Sequence, residues 1–344
     1  VTSAPYPWTA VLERLVAGQD LGEGEAAELL GEVMEGRASE PVLAAVLAAL
    51  AAKGESAGEV AGFVRAMVAA ATPVDVEGPL LDTCGTGGDG AGTFNISTTA
   101  ALVCAAAGAR VAKHGNRAAS SRAGSADLLE AWGVAIDLSP AAAATCLDEL
   151  GITFLFARSF HPAMRHVAGV RRALGIRTVF NVLGPLSNPA GADHQVVGVG
   201  DERLAPVMAE ALARLGSTAM VFHGDDGLDE LTTTTTSHVW TIRDGAVERS
   251  LLDPTRLGLA RVPGAALHGG DVEENRAISD RVLEGGTGPT ADVVALNAAA
   301  GLHTYGLVDG LPAGLELARE VLASGRAAEL RDRWAARSTE LASG

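Results

Sequence analysis

Cysteine is scarce in this chain, whose 344 residues include three, Cys84, Cys104 and Cys146. An odd number without CxxC spacing indicates neither a disulfide framework nor a zinc site. Cys84 stands beside a glycine-rich loop, yet nothing else in the sequence calls for a thiol nucleophile, so it reads as a small strand-end residue. Basic residues are in deficit, 26 Lys and Arg against 42 Asp and Glu, for a formal net charge of −16. Such a balance argues against nucleic acid or an anionic membrane as the main partner. No apolar run reaches the roughly 18 residues of a membrane span, and the N-terminus lacks a basic stretch followed by an apolar one. The expectation is a cytoplasmic protein. The phosphate-loop signature GxxxxGK(S/T) does not occur either. What remains is an ordinary globular composition, 48% hydrophobic and 20% charged, long enough for one large unit and a smaller one.

Residues 8–71 repeat apolar positions at three-and-four spacing: Leu12, Leu15 and Val16, then Leu29, Leu30, Val33 and Met34, then Val42, Val46, Leu47 and Leu50, then Val60, Phe63, Val64, Met67 and Val68. The pattern predicts a bundle of short helices, the last opened by a capping box of Ser56 and Glu59 and ended by Thr72-Pro73. From Val76 onward, strand-like and helix-like runs alternate. Strands are expected at Leu80–Thr83, Arg110–Ala112, Ala135–Asp137, Ile152–Phe156, Gln195–Val199, Thr218–Phe222 and Val239–Ile242, with a further β-like segment at Thr232–Thr236. Helices are expected at Ala100–Ala107, Ser125–Trp132, Pro140–Leu150, Pro162–Leu174, Glu202–Leu215, Val272–Leu283, Ala291–Gly301, Ala313–Ser324 and Arg326–Leu341. The fold class is therefore α/β: a small N-terminal helical domain plus a larger α/β domain with a mainly parallel central sheet.

The chemistry concentrates in residues 81–125. A first loop, Cys84-Gly85-Thr86-Gly87-Gly88-Asp89-Gly90, follows a strand, and Asn95, Ser97 and Thr98 stand at the start of an apolar helix. A second loop, Lys113 to Ser121, adds Lys113, Arg117 and two hydroxyls before Ser125, the expected N-cap of the next helix. Glycine lets backbone N–H groups approach a ligand, and a helix N-terminus offers free donors at the positive end of its dipole. Polyphosphate is the ligand this chemistry suits.

The blocks GTGGD, FNIST and KHGNRAASS, in this order and spacing, resemble the anthranilate phosphoribosyltransferases of tryptophan biosynthesis. The likeness extends to His161-Pro162-Ala163-Met164, to Arg171-Arg172 in VRRALGIRT, to FNVLGPL from Phe180 with Asn188-Pro189, and to Asp226-Gly227-Leu228-Asp229-Glu230. The resemblance implies a nucleoside phosphorylase/phosphoribosyltransferase-like architecture. Residues 1–73 would form the helical domain, rejoined by a returning segment at about 160–190, and 74–344 the domain that binds phosphoribosyl diphosphate. It also implies a homodimer through the helical domain. The implied reaction is a magnesium-dependent transfer of 5-phosphoribose from phosphoribosyl pyrophosphate to the amine of anthranilate.

Carried over residue by residue, the donor site would comprise Gly85, Gly88, Asp89, Thr93, Asn95, Ile96, Ser97, Thr98, Lys113, His114, Gly115, Asn116, Arg117, Ala118, Ala119, Ser120, Ser121 and Ser125. Anthranilate would meet Gly85, Asn116 and Arg171, whose guanidinium can grip both oxygens of a carboxylate. Of a pair of Mg²⁺ ions, Asp229 would bind one, Glu230 would bridge the two, and the Ser97 hydroxyl would ligate the ion shared with Glu230. An arylamine is already neutral at pH 7, so no general base is assigned. Catalysis is expected from electrostatic stabilisation of the leaving pyrophosphate by Lys113 and the metal site, while His114 and His161 read as hydrogen-bonded structural groups. A nucleoside phosphorylase is the rival enzyme, and a catalytically silent nucleic-acid-binding relative the rival outside catalysis. The Asp229-Glu230 pair, the Arg171 block and the acidic net charge speak against them. Trp132, Arg165-His166 and Gly169 depart from the family pattern, at positions that touch packing or acceptor access.

Overall fold

The structure, a computed structural model, describes residues 6–118 and 122–343; Ala119, Ser120 and Ser121 lie outside the described residues. The chain opens with α1 (Trp8–Val16), α2 (Glu23–Met34), α3 (Glu40–Lys53) and α4 (Ala57–Ala69), as the apolar spacing predicts. The capping box holds: Ser56 Oγ accepts from the Glu59 N–H and Glu59 Oε2 from the Ser56 N–H, at 3.3 and 2.8 Å. Glu59 is fully buried, and it also takes the Lys53 ammonium at 2.8 Å and the Leu21 N–H at 3.0 Å. Both carboxylate oxygens thus have partners, as burial of a polar group demands.

Among the described residues, seven strands make one sheet: β1 (Leu81–Gly85), β2 (Val111–Gly115), β3 (Ile152–Phe156), β4 (His194–Gly198), β5 (Thr218–Gly224), β6 (Ser237–Arg243) and β7 (Ala246–Leu252). Around them run α5 (Ile96–Ala106), α6 (Ser125–Ala131), α7 (Pro140–Leu150), α8 (Ala157–Phe160), α9 (Arg165–Leu174), α10 (Phe180–Leu186), α11 (Ala205–Leu215), α12 (Val272–Leu283), α13 (Pro289–Tyr305), α14 (Leu311–Ala323) and α15 (Arg326–Ser343). The strand order is β3-β2-β1-β4-β5-β6-β7. The pairs among β1 to β5 are parallel and the last two antiparallel.

Alternation along the strands sends side chains into two cores. Val196, Met220 and Phe222 join the one built with α5, α13 and α14. Their neighbours Val197, Ala219 and Val221 join the other, which runs through α11 into the N-terminal bundle. Val167, Val170, Phe180 and Leu183 from α9 and α10 are part of that second core, so the 160–190 stretch packs against the first helices.

Several expectations need correction. Ala135–Asp137 is not a strand: the Ala135 N–H donates to Ser338 Oγ on α15 at 2.9 Å, and Asp137 accepts the Ser159 hydroxyl at 2.6 Å. Thr232–Thr236 is not β-like either, because its hydroxyls turn onto Asp225 and Asp226. The Pro162–Leu174 helix is split into a 3₁₀ turn at Pro162–Met164 and α9. The helix expected from Glu202 begins at Ala205. α10 was not anticipated, since Pro185 lies inside it. β7, also unexpected, is mostly exposed; its signal is the Asp244-Gly245 turn, both residues at positive φ, 52° and 75°, as a tight hairpin requires.

Candidate active site

The chain leaves β1 outward to β2 and β3 and then returns to β4 on the other side of β1. In open α/β sheets, ligands gather beyond the strand carboxyl ends at such a reversal. A cleft of about 1090 Å³ opens there, lined by the loops after β1 and β2 and by the start of α5. At the carboxyl end of β4 stands Gly198. The segment Asp229-Glu230 crosses so close above it that a Cβ on Gly198 would overlap the Asp229 carbonyl, and one on Gly85 would meet the Asp229 carboxylate. Only glycine at these strand ends admits the acidic segment into the cleft.

That segment is the outcome of a division within Asp225-Asp226-Gly227-Leu228-Asp229-Glu230. Asp225 and Asp226 are exposed and take the hydroxyls of Thr236, Thr232 and Thr234. Asp229 and Glu230 face inward, where Asp229 Oδ2 accepts from the Gly87 N–H at 2.7 Å and Glu230 Oε1 from the Ser97 N–H at 3.1 Å. Burial first, then the charge of Asp89, pushes the Asp229 carboxyl up; burial and then Asp229 push Glu230 up. Neither has a salt-bridge partner among the described residues, although Lys113 acts on Glu230 electrostatically. No group of three or more His, Cys, Asp or Glu gathers for a metal among the described residues. Two adjacent carboxylates lacking a counterion, within a polar cleft, fit Mg²⁺, which takes one or two carboxylates and leaves its other positions to phosphates and water.

The first loop is open towards the cleft. Thr86 N–H is bound to Gly198 O at 2.9 Å and Gly87 N–H to Asp229, while the N–H groups of Gly88 and Asp89 donate to no protein acceptor among the described residues. Gly85, Thr93, Asn95, Ile96, Ser97 and Thr98 all line the cleft. Asn95 occupies the N-cap of α5, but its side chain caps nothing; Oδ1 accepts from Asn275 and Nδ2 donates to Ala123 O.

Lys113, His114, Gly115, Asn116, Arg117, Ala118 and Ser125 line the facing wall. Lys113 is 2% exposed and donates to Thr83 O. The Arg117 charge is engaged elsewhere, in ion pairs to Asp127 and Glu130 at 3.1 and 2.5 Å. Ser125 is not the N-cap of α6; Gly124 is, and the Ser125 hydroxyl turns back to Asn116 O at 3.2 Å. His114 Nδ1 lies 3.0 Å from Gly184 O and His161 Nε2 3.0 Å from Ser187 O, so those nitrogens carry the protons. Burial, with His161 alongside, lowers His114 to about 3, and burial lowers His161 too; both are neutral imidazoles. Burial also raises the Cys84 thiol well above its usual value, and its Sγ donates to Pro185 O at 3.3 Å, the bearing of a structural residue.

Arg171 is not among the residues lining this cleft. It lies half-buried on α9 with its guanidinium 5.5 Å from the centre of the Phe180 ring, and it has no carboxylate partner among the described residues. The neighbouring Asn181 does line the cleft. So do Arg177, His268, Gly269, Gly270 and Asn275, which the sequence reading missed. Arg177 sits inside the VRRALGIRT block, a signal that was available; Gly269-Gly270 before the N-cap Asp271 is a fainter one.

Residues 9–71 match the helical bundle domain of a glycosyl transferase family and residues 77–328 its a/b domain. Fold and cleft together thus define a two-domain glycosyl transferase. The chain is 52% identical over 334 residues to the anthranilate phosphoribosyltransferase of Nocardioides sp., covering 96% of this chain and 98% of that one. The crystal structure of the Thermus thermophilus anthranilate phosphoribosyltransferase aligns with TM-score 0.91 at 51% identity, over 96% of this chain and 99% of the other. The Saccharomyces cerevisiae enzyme, solved in complex with PRPP and Mg, aligns with TM-score 0.89 at 27% identity, over 98% and 99%. The chain belongs to the anthranilate phosphoribosyltransferases.

Proposed function

We infer that the cleft transfers 5-phosphoribose from phosphoribosyl pyrophosphate to the amine of anthranilate, giving N-(5-phosphoribosyl)anthranilate and pyrophosphate, a step of tryptophan biosynthesis. The observation that carries this reading is the pair Asp229-Glu230, turned into a cleft whose two walls are free backbone donors and a buried lysine. Gly88 and Asp89 N–H groups receive diphosphate oxygens. Asn95, Thr98, Lys113, His114, Asn116 and Ser125 complete the donor contacts, with Arg117 and Ala118 forming the wall beside them. Asp229 and Glu230, with the Ser97 hydroxyl, would hold Mg²⁺, which when bound would supply positive charge facing the departing pyrophosphate. As the C1–O bond breaks, the amine nitrogen forms the new bond to C1 and then sheds a proton. Water or the released pyrophosphate takes that proton, because burial disfavours the charged imidazolium at His114 and His161.

Arg171 serves the acceptor. A half-buried guanidinium with no anionic partner among the described residues, whose pKa burial lowers, gains most from a carboxylate brought to it. Gly85 and Asn116 complete that subsite. The chain further divides as a helical domain over 1–73, rejoined by about 160–190, and a donor-binding domain over 74–344, with dimerisation through the helical part. No described helix is long and apolar enough to cross a membrane, and three unpaired cysteines suit the reducing cytoplasm.

The test follows anthranilate fluorescence in the presence of enzyme and phosphoribosyl pyrophosphate, with Mg²⁺ and then with excess EDTA. Loss of signal that needs both donor and metal, with pyrophosphate released in step, is expected; no loss with folded protein would sink the reading. Arg171→Ala should raise the KM for anthranilate about 10- to 100-fold, the worth of a charge-assisted hydrogen bond, and leave the donor KM unchanged.

A further inference from the structure

Three loops meet at one buried amide. Asn275, in the first turn of α12, is 2% exposed, and its Oδ1 accepts from the Gly270 N–H at 2.8 Å. Its Nδ2 donates to Asn95 Oδ1 at 3.1 Å, and Asn95 Nδ2 donates in turn to Ala123 O at 3.2 Å. Asn95 closes the first glycine-rich loop, Ala123 lies near the end of the second, and Gly270 belongs to a third. That third loop is itself bonded to the first, through Gly269 N–H to Gly92 O at 2.9 Å and Phe94 N–H to Leu267 O at 3.3 Å. A Cβ on Gly269 would collide with Asn275 Oδ1, so the loop reaches the amide only because the residue there is glycine.

The relay has a fixed polarity. At one end the Gly270 N–H can only donate, and at the other the Ala123 carbonyl can only accept, so both amides must point one way. Asn275 must present oxygen to Gly270 and nitrogen to Asn95. Aspartate has the same shape but no donor. It would confront Asn95 Oδ1 with a second acceptor, and rotating the Asn95 amide to relieve that would bring oxygen against the Ala123 carbonyl. One turn further along α12, Ser279 Oγ meets Thr99 Oγ1 at 3.0 Å. This second buried contact joins the same two helices; Thr99 Oγ1 also donates to Asn95 O at 2.9 Å, a bond that removal of the Ser279 hydroxyl leaves in place.

We propose that Asn275 is a positioning residue for the phosphoribosyl donor: acting through Asn95, it sets the spacing of the two loops between which the donor is held. The inference rests on the reading of those loops as the donor site.

The experiment is titration calorimetry of phosphoribosyl pyrophosphate with Mg²⁺ on the full chain, in parallel with thermal unfolding. Asn275→Asp, the isosteric change, and Asn275→Ala should each weaken donor binding about 10-fold or more, with Asn275→Asp retained as the readout if the alanine variant fails to fold. The double variant Asn95→Ala/Asn275→Ala should bind no more weakly than Asn95→Ala alone, because the second change acts through a partner already gone. Ser279→Ala, which breaks the neighbouring pair, should lower the unfolding temperature without moving donor affinity. Donor affinity within twofold of the parent in folded Asn275→Asp, additive losses in the double variant, or an equal loss in Ser279→Ala would each overturn the proposal. Failure of the unaltered chain to bind the donor would instead overturn the donor-site reading, and the inference with it.

Discussion

The two loops that face each other across the cleft are held in opposite ways. The first is tied down from several distant elements: Thr86 N–H to Gly198 O on β4, Gly200 N–H to Thr86 Oγ1 at 3.0 Å, Gly87 N–H to Asp229, and a β-bridge from Thr93 to His268. The second leans on the helix that follows it. Asp127 on α6 accepts from the N–H groups of Ala118 and Gly124, at 3.1 and 2.8 Å, and pairs with Arg117. Burial works against the Asp127 carboxylate, but those N–H groups and Arg117 outweigh it and hold its pKa below the usual range. One wall is thus fixed chiefly by the sheet, while the other hangs on Asp127, with a further tie from Asn95 Nδ2 to Ala123 O. Damage to the first should reach the chemistry, whereas damage to the second should reach affinity.

The largest effect is expected at Asp229, which anchors the first loop and faces the proposed metal. Asp229→Asn keeps an acceptor for Gly87 but removes the charge, and should lower kcat/KM about a thousand-fold, the scale of losing a preorganised electrostatic group. Steady-state rates across a Mg²⁺ titration measure it. A loss below tenfold at saturating metal would mean that the sheet-fixed wall contributes position and little charge. Asp127→Ala comes next. It orphans two N–H groups and frees Arg117, so the donor KM should rise about 10- to 100-fold while kcat changes little. An equal fall in kcat would erase the distinction between the walls.

How much of this could be read beforehand follows the same division. The helical bundle, the parallel sheet and the glycine loops were legible because apolar period, glycine and capping residues act within a few positions of one another. The inward turn of Asp229-Glu230 was legible as a motif; that Asp225 and Asp226 would be occupied by threonine hydroxyls was not. Arg117 reads as a free cation in sequence, and only the fold brings Asp127 and Glu130 against it. Asn275 was invisible because its partner Asn95 lies 180 positions away, and an asparagine in a helix carries no local signal of what it will meet. Ala135–Asp137 misled for the converse reason: Val134, Ile136 and Leu138 are buried in alternation, as in a strand, but the backbone found a helix instead of a ladder.

The bases of the two walls should also respond oppositely to acid. Beneath the first loop, burial raises Asp82 on β1 to about 6, against the pull of Lys113 and Asn188. The native state there holds a proton that the unfolded chain releases, so this stabilising contribution is lost as pH rises from about 4 through about 6. Beneath the second, His114 falls to about 3 from an ordinary 6.5. Here the unfolded chain takes the proton that the native state refuses, so stability is full above about 6.5 and declines as pH falls towards 3. The two slopes oppose each other between about pH 4 and 6. His114→Gln removes one of them, so its stability relative to the parent should improve by about 2 kcal/mol between pH 6.5 and 5. Urea unfolding at both values reads the difference, and a difference that does not change with pH would mean that His114 titrates freely. Turnover by the same variant should fall without collapsing; a loss beyond about a thousand-fold, the scale of an acid–base catalyst, would make His114 chemical.

The smallest effect is expected at the far end of α6, where the contrast between the walls is tested most finely. Trp132 is 9% exposed, and its indole N–H donates to Asp280 on α12 at 2.7 Å. Asp280 also meets Arg331 at 2.6 Å and Arg276 at 3.5 Å, so removing the indole leaves that carboxylate still paired. Trp132→Phe should therefore cost only the hydrogen bond and a little packing, about 1–2 kcal/mol, and shift the thermal midpoint by about 2–4 °C. Because Asp127 holds the second loop from the first turn of α6, the donor KM should not move. A tenfold rise in that KM would show the loop to be governed by the whole length of the helix and its brace to α12. The second wall would then be as widely anchored as the first, and the difference between them would be one of route alone.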